Sequence, residues 1–343
     1  MGCFVAIGVG VSTKVRPEEN MSATDITPTD SAIDPVLKLK ASRRMLANSI
    51  VMNGPCIYLA DERQRLASVR YDHFEVCQVG ATIGAEIRGI DLAGELSDNE
   101  IADIRRALHD FKVIFFRDQP VSTDQHVAFA ARFGSLETHP FLPPNTTQPE
   151  LVRFAKNAEA AGYENGWHHD VTWRAEPSMG AVLHAISVPP VGGDTLFADM
   201  YAAYDGLPDD VRSRIDDLTA EHDFMQAFGH NLPDDERAVM RERFPAVEHP
   251  VAPRHDVTGR RYLYVNRYFT TRIVGLDQTD SNDLIEYLAR QADYPEYQCR
   301  FRWRNDSIAF WDNRAVQHYA SSDYWPQPRI MERASIMGTR PTR

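Results

Sequence analysis

The feature that most restricts this chain lies in its second half. From Leu151 onward, short apolar runs at 151–154, 181–186, 262–265, 299–303, 308–311 and 330–337 are cut apart by Pro and Gly. Runs this short fit strands of about four to eight residues better than helices. Many short strands bounded by turn residues bury their apolar faces most economically as two packed sheets. The expected fold is therefore mainly β with peripheral helices, a β-sandwich or jelly-roll. Segments 209–217, 234–243 and 281–292 read as surface helices, the last with Leu284, Ile285 and Leu288 on one face.

Upstream, Phe74-Glu75-Val76-Cys77-Gln78-Val79 alternates as a strand, and a second short strand through Ile87 makes a hairpin. Ser97-Asp98-Asn99-Glu100 is a capping box, with Ile101, Ile104 and Leu108 following at helical spacing. Val113-Ile114-Phe115-Phe116 is a buried-strand run, and Ser122 and Gln125 repeat the capping pattern before a second helix that Gly134 ends. Residues 1–70 show no sustained period, and Ser, Thr, Pro and Asp cluster between Ser22 and Pro35. The expected division is a flexible extension over 1–70 and one catalytic domain over 71–343.

Charge excludes whole classes of partner. With 49 acidic against 37 basic residues, the formal charge of -12 repels phosphate backbones and anionic lipid, so neither nucleic acid nor membrane is expected as a partner. The apolar run at 4–11 lacks a basic flank and is far shorter than the roughly 20 residues of a membrane span, so neither signal nor anchor is expected. Ala6 stands where myristoylation needs Ser or Thr. Cys3, Cys56, Cys77 and Cys299 are scattered without a CxxC pair, which fits a cytoplasmic, reducing location rather than a disulfide framework or zinc knuckle.

Two His-x-Asp/Glu triplets occur, His73-Phe74-Glu75 and His168-His169-Asp170, about the number that composition alone gives. On an extended segment the outer residues of such a triplet point to one side and can share a metal. His318, after the apolar run 308–311, is the candidate third ligand. Two His and one carboxylate leave about three open positions on an octahedral ferrous ion, enough for a bidentate 2-oxo acid and dioxygen. Spacing does not choose between the triplets. Read as a strand, 329–337 puts Arg329, Met331, Arg333 and Ser335 on one face, so two guanidinium groups that fit carboxylate or sulfonate oxygens point together. Gly192-Gly193-Asp194-Thr195 reads as a tight turn whose Thr195 hydroxyl could meet an anion held by Arg329. His139, Phe228 and Phe269 alone suggest only core or turn positions.

Together these segments resemble the taurine dioxygenase branch of the Fe(II)/2-oxoglutarate-dependent dioxygenases, which also includes chlorophenoxyacetate dioxygenases and alkyl sulfatases. The resemblance spans about residues 74–340. It rests on ordered blocks that include Gly89-Ile90-Asp91-Leu92, Ala131-Arg132-Phe133-Gly134, Trp167-His168-His169-Asp170-Val171-Thr172, Gly192-Gly193-Asp194-Thr195-Leu196, Phe269-Thr270-Thr271-Arg272-Ile273-Val274, Trp311-Asp312-Asn313-Arg314 with Gln317-His318, and 329–338. It implies a double-stranded β-helix, with His168, Asp170 and His318 as catalytic iron ligands. By the same resemblance, Arg329 and Thr195 hold the distal carboxylate of 2-oxoglutarate. Arg333, His139 and the Val171 amide receive a sulfonate, and Phe228 and Phe269 line its carbon chain. The implied reaction consumes O2, releases succinate and CO2, and hydroxylates the carbon bearing sulfur of an alkanesulfonate such as taurine, so that sulfite leaves and an aldehyde remains. Relatives of this kind form dimers or tetramers, which implies a homo-oligomer.

The chain departs from taurine-cleaving members at two positions that meet the amine: Leu142 replaces a Tyr and Glu164 an Asn. Glu164 could pair an ammonium or turn outwards. His169 replaces a Thr in the ligand triplet, Glu332 replaces a His, and Arg267-Tyr268 replaces small or acidic residues. An alkyl sulfate or aryloxyacetate could therefore take the sulfonate's place. The rival classes are a zinc hydrolase, which leaves Arg329 and Thr195 without a task, and a non-catalytic β-sandwich binding protein.

Overall fold

A computed structural model describes residues 56–139 and 147–343. In chain order its main elements are α1 (Ala60–Ser68), β1 (Glu75–Gln78), β2 (Ala85–Arg88), α2 (Asp98–Phe111), β3 (Val113–Phe116), α3 (Thr123–Ala131), β4 (Leu151–Lys156), β5 (Gly180–Ser187) and β6 (Thr195–Asp199). There follow α4 (Met200–Asp205), α5 (Asp209–Ile215), β7 (Thr219–His222), α6 (Phe224–Phe228), α7 (Asp234–Arg243), β8 (Val247–Pro250), β9 (Thr270–Ile273) and α8 (Gln278–Ala289). The last strands are β10 (Gln298–Phe301), β11 (Ile308–Asp312), β12 (Val316–Ala320) and β13 (Arg329–Ile336).

A seven-stranded sheet in the order β1-β2-β3-β11-β5-β13-β4 faces a three-stranded sheet in the order β10-β6-β12. Strand β3 shows why the large sheet must be covered on both sides. Val113 and Phe115 join Phe197, Phe301, Trp303 and Trp311 between the two sheets, while Ile114 and Phe116 turn to the other face against Ile104, Leu108, Phe111 and Phe129 of α2 and α3. A run buried on both faces cannot alternate, hence Val-Ile-Phe-Phe. Both capping boxes form: Ser97 and Glu100 satisfy each other's backbone donors at α2, as Ser122 and Gln125 do at α3. The expected jelly-roll with peripheral helices is the architecture found, although its sheets are not closed into a barrel.

Two expectations need correction. Residues 57–68, placed in the flexible extension, are helical: Leu66 enters the core beside α2, and Glu62 pairs with buried Lys112 at 2.8 Å and with Arg260 at 3.0 Å. Its anchors are Leu59 in the short turn before α1, Leu66 in α1 and one carboxylate, too few to write a 3.6-residue period. The rest of that extension, through Pro55, lies outside the described residues, as does Leu142. Segment 262–265, expected as a strand, is buried but joins no ladder. Its backbone N–H groups donate singly to Pro253, Met200 and Val251, because apolarity on both faces records burial, not pairing.

Candidate active site

The front edge of the small sheet meets the segment after β4 at His168. His168 and His318 exchange two backbone hydrogen bonds, of 3.2 and 2.9 Å, which brings a residue of β12 against a loop residue 150 positions earlier in the chain. The His168 Nδ1 lies 2.8 Å from the Gly166 carbonyl. A carbonyl only accepts, so Nδ1 carries the proton and Nε2 keeps its lone pair. Asp170 places its oxygens 3.9 Å from Nε2 of His168 and 3.9 Å from Nε2 of His318. One ligand atom from each of the three lies within 4.8 Å of the others, and no second group of this kind exists among the described residues. The competing triplet does not assemble: His73 pairs with Asp103 at 2.7 Å, away from this site.

The electrostatics suit a divalent metal. Burial, then the neighbouring His168, pulls His318 down to about 3, and burial likewise lowers His168, so both imidazoles are neutral at pH 7. Burial acts to raise Asp170, but the Arg333 guanidinium beside it outweighs that and holds the carboxyl well below its usual range. Arg333 Nη1 sits 3.0 Å from both Asp170 oxygens. Two neutral nitrogen donors and a carboxylate are a fitting set for ferrous iron.

Two chambers open from this point and share Phe154, Glu164, His168 and Arg333. One, of about 690 Å³ with its mouth, is lined by Thr195, Ser321, Ser322, Tyr324 and Arg329. Arg329 is 7% exposed, donates from Nε to the Gly193 carbonyl at 3.2 Å, and has no ion pair among the described residues. A guanidinium out of water with no carboxylate calls for an anionic ligand. The Gly192-Gly193 turn is required twice over: both glycines have positive φ, and a Cβ at Gly193 would stand 3.2 Å from the Arg329 side chain. Trp303, which sequence reasoning missed, donates its indole N–H to the Thr195 hydroxyl oxygen at 3.0 Å. That leaves the hydroxyl proton for a ligand. Trp303 lies 108 residues from Thr195, and only the pairing of β10 with β6 brings them together.

The second chamber, of about 1130 Å³ with its mouth, is lined by His139, Val171, Phe228, Phe269 and Arg333, the residues expected there, and by Trp173, Phe224, Tyr268 and Met240, which were not expected. Burial, then Arg333 and Arg174, pulls His139 down to about 4, so it is a neutral ring at pH 7. Val171 holds φ at 50°, a conformation that costs a β-branched residue about 1–3 kcal/mol, and its N–H finds no acceptor among the described residues. Glu164 stands at the neck between the chambers, but its partner is Lys156 at 2.7 Å. It neither turns outwards nor waits unpaired for an ammonium.

Residues 75–335 match the family model described as taurine catabolism dioxygenase TauD, TfdA family. The chain belongs to this family. It is 35% identical over 275 residues to the alpha-ketoglutarate-dependent sulfate ester dioxygenase of Pseudomonas putida, covering 78% of this chain and 90% of that one. It is 32% identical over 253 residues to the 2,4-dichlorophenoxyacetate dioxygenase of Cupriavidus pinatubonensis, covering 68% and 87%. A crystal structure of a taurine dioxygenase from Burkholderia xenovorans superposes with a TM-score of 0.69 at 35% identity, covering 79% of this chain and 91% of that one. The TauD/TfdA-family chain is thus an Fe(II)- and 2-oxoglutarate-dependent dioxygenase that uses O2, and the zinc hydrolase and non-catalytic readings fall away. Its donor set and the lone Arg329 guanidinium suit those cofactors. Among the described residues, no helix is long and apolar enough to cross a membrane.

Proposed function

We propose that this dioxygenase hydroxylates the carbon next to the anionic head of a sulfate ester or alkanesulfonate with an apolar chain, and that His168, Asp170 and His318 hold its iron. When bound, iron and 2-oxoglutarate supply the oxidising power: one atom of O2 ends in succinate as CO2 leaves, and the other enters the substrate C–H bond. Arg329 and the Thr195 hydroxyl hold the distal carboxylate of 2-oxoglutarate. Arg333, the His139 ring and the Val171 N–H receive the head group, and Phe228 and Phe269 flank the chain. The hydroxylated product of a sulfate ester expels sulfate, and that of a sulfonate expels sulfite. Each leaves an aldehyde.

The observation that carries the choice of chain is the neck and wall of the larger chamber. Its carboxylate, Glu164, is neutralised by Lys156, and beyond it stand Trp173, Phe224, Phe228, Tyr268 and Phe269. Among the described residues taurine's ammonium has no free anion there, whereas each buried methylene contributes about 0.8 kcal/mol. Those rings also fit an aryloxyacetate, the substrate named for the Cupriavidus relative. The test is succinate, sulfate and sulfite release from purified protein given Fe(II), 2-oxoglutarate and air, with taurine, C3 to C8 alkyl sulfates and alkanesulfonates, and 2,4-dichlorophenoxyacetate. The expected result is kcat/KM rising about fourfold per added methylene and exceeding that for taurine at least tenfold. Taurine as the best substrate would overturn the chain assignment, and an aryloxyacetate as the best would replace the head-group assignment.

A further inference from the structure

Resting on the reading that His168, Asp170 and His318 hold iron, we propose that Asn313 is the positioning residue for the Asp170 carboxylate. Asn313 lies in the turn between β11 and β12 and is 1% exposed. Its Oδ1 accepts the Asp170 N–H at 2.7 Å, and its Nδ2 donates to the carbonyls of Asp170 at 3.0 Å and Ser178 at 3.0 Å. A backbone N–H only donates and a carbonyl only accepts, so these three partners fix which way the amide points. Both peptide groups of one candidate ligand are thus held by a single side chain from the turn between β11 and β12.

Asp170 needs that clamp for two reasons visible in the geometry. Arg333 attracts both of its oxygens at 3.0 Å, a pull toward β13 on the same atoms that face the two histidines. The next residue, Val171, holds φ at 50°, and a strained backbone persists only where its surroundings over-determine it. Asn313 opposes both. It also sits five residues before His318, in the turn that carries the chain from the large sheet into β12 of the small one, and the His318 backbone is bonded reciprocally to that of His168. One amide therefore fixes Asp170 against the other two donors. The turn has its own support in Asp312, paired with Arg314 at 2.7 Å and with His255 at 2.9 Å, and neither partner touches Asp170. The replacements tested do not repeat the pattern: Asp would set an oxygen against two carbonyls, Ser offers one short hydroxyl, and Ala offers nothing.

The test is anaerobic titration of the full chain with Co(II), read by d–d absorption and calorimetry without substrate, beside thermal unfolding of the metal-free protein. Wild type is expected to bind one Co(II). Asn313→Ala, Asn313→Asp and Asn313→Ser are expected to raise the Kd about 10–100-fold, the usual effect of losing an outer partner of a ligand, with a changed d–d band. Arg314→Met, which loosens the same turn without touching Asp170, is expected to lower the unfolding temperature and keep the Kd within twofold. Asn313 variants that unfold cooperatively yet bind Co(II) within twofold of wild type, with an unchanged spectrum, would overturn the proposal. Loss of the fold in all three would also overturn it, since the residue would then be structural. Wild type that binds no metal would instead sink the ligand assignment itself.

Discussion

Arg329 is a charge taken out of water with one hydrogen bond among the described residues, from Nε to Gly193. Its stability in that position depends on what enters the chamber. Truncating one partner of a buried charge pair costs about 2 kcal/mol or more, so Arg329→Ala should raise the KM for 2-oxoglutarate at least about 30-fold and leave that for the prime substrate nearly unchanged. Arg333→Ala should do the reverse. Trp303→Phe removes the bond that orients the Thr195 hydroxyl, about 1 kcal/mol, together with part of a ring packed between the sheets, and should raise the 2-oxoglutarate KM about fivefold. Steady-state kinetics in both substrates decides this, and matching profiles for the two arginine variants would end the division of labour. These residues also mark what sequence can reveal. Arg329 and Arg333 were legible as a pair because a strand's two-residue period fixes their common face. Trp303 and Asn313 were not, because their partners Thr195 and Asp170 lie 108 and 143 positions away and no local period records such a meeting.

Among elements, legibility followed the number of side chains that state the same thing. Helix α2 announces itself through a capping box and Ile101, Ile104, Leu108 and Phe111 on one buried stripe. Helix α1 has one buried side chain, Leu66, and its docking relies on Glu62, which no apolar pattern can report. That carboxylate faces Lys112, 1% exposed at its side chain. Burial acts to raise Glu62, and Arg65, Lys112 and Arg260 together hold it below its ordinary range instead. A depressed carboxyl stabilises the fold above its unfolded pKa, about 4.3, and loses that contribution as pH falls toward its folded value. Glu62→Gln should therefore lower stability by about 1–3 kcal/mol at pH 7, and the urea unfolding curves of variant and wild type should converge as pH drops below about 4. Equal stability at pH 7 would show that α1 does not depend on this pair.

The whole molecule separates support from chemistry. The core between the sheets and the layer beneath α2 and α3 are closed by side chains such as Phe115, Trp311, Phe116 and Phe310; the His318 ring rests on Trp311 and Phe197 at the margin of the first, whereas the His168 ring lies beside Tyr268, outside both. The metal-free chain should therefore fold on hydrophobic burial alone, with metal adding stability only through mass action. At a Co(II) concentration 100 times its Kd that addition is about 2.7 kcal/mol, a rise of a few degrees in the unfolding temperature for a chain of this size. His168→Ala should remove the rise while keeping the metal-free transition within a few degrees of wild type, because it deletes a donor at the sheet edge and no apolar contact of either core. Scanning calorimetry with and without Co(II) reads both quantities. A wild-type transition that ignores the metal would remove the binding site, whereas a variant that still responds would place the donors elsewhere in the molecule.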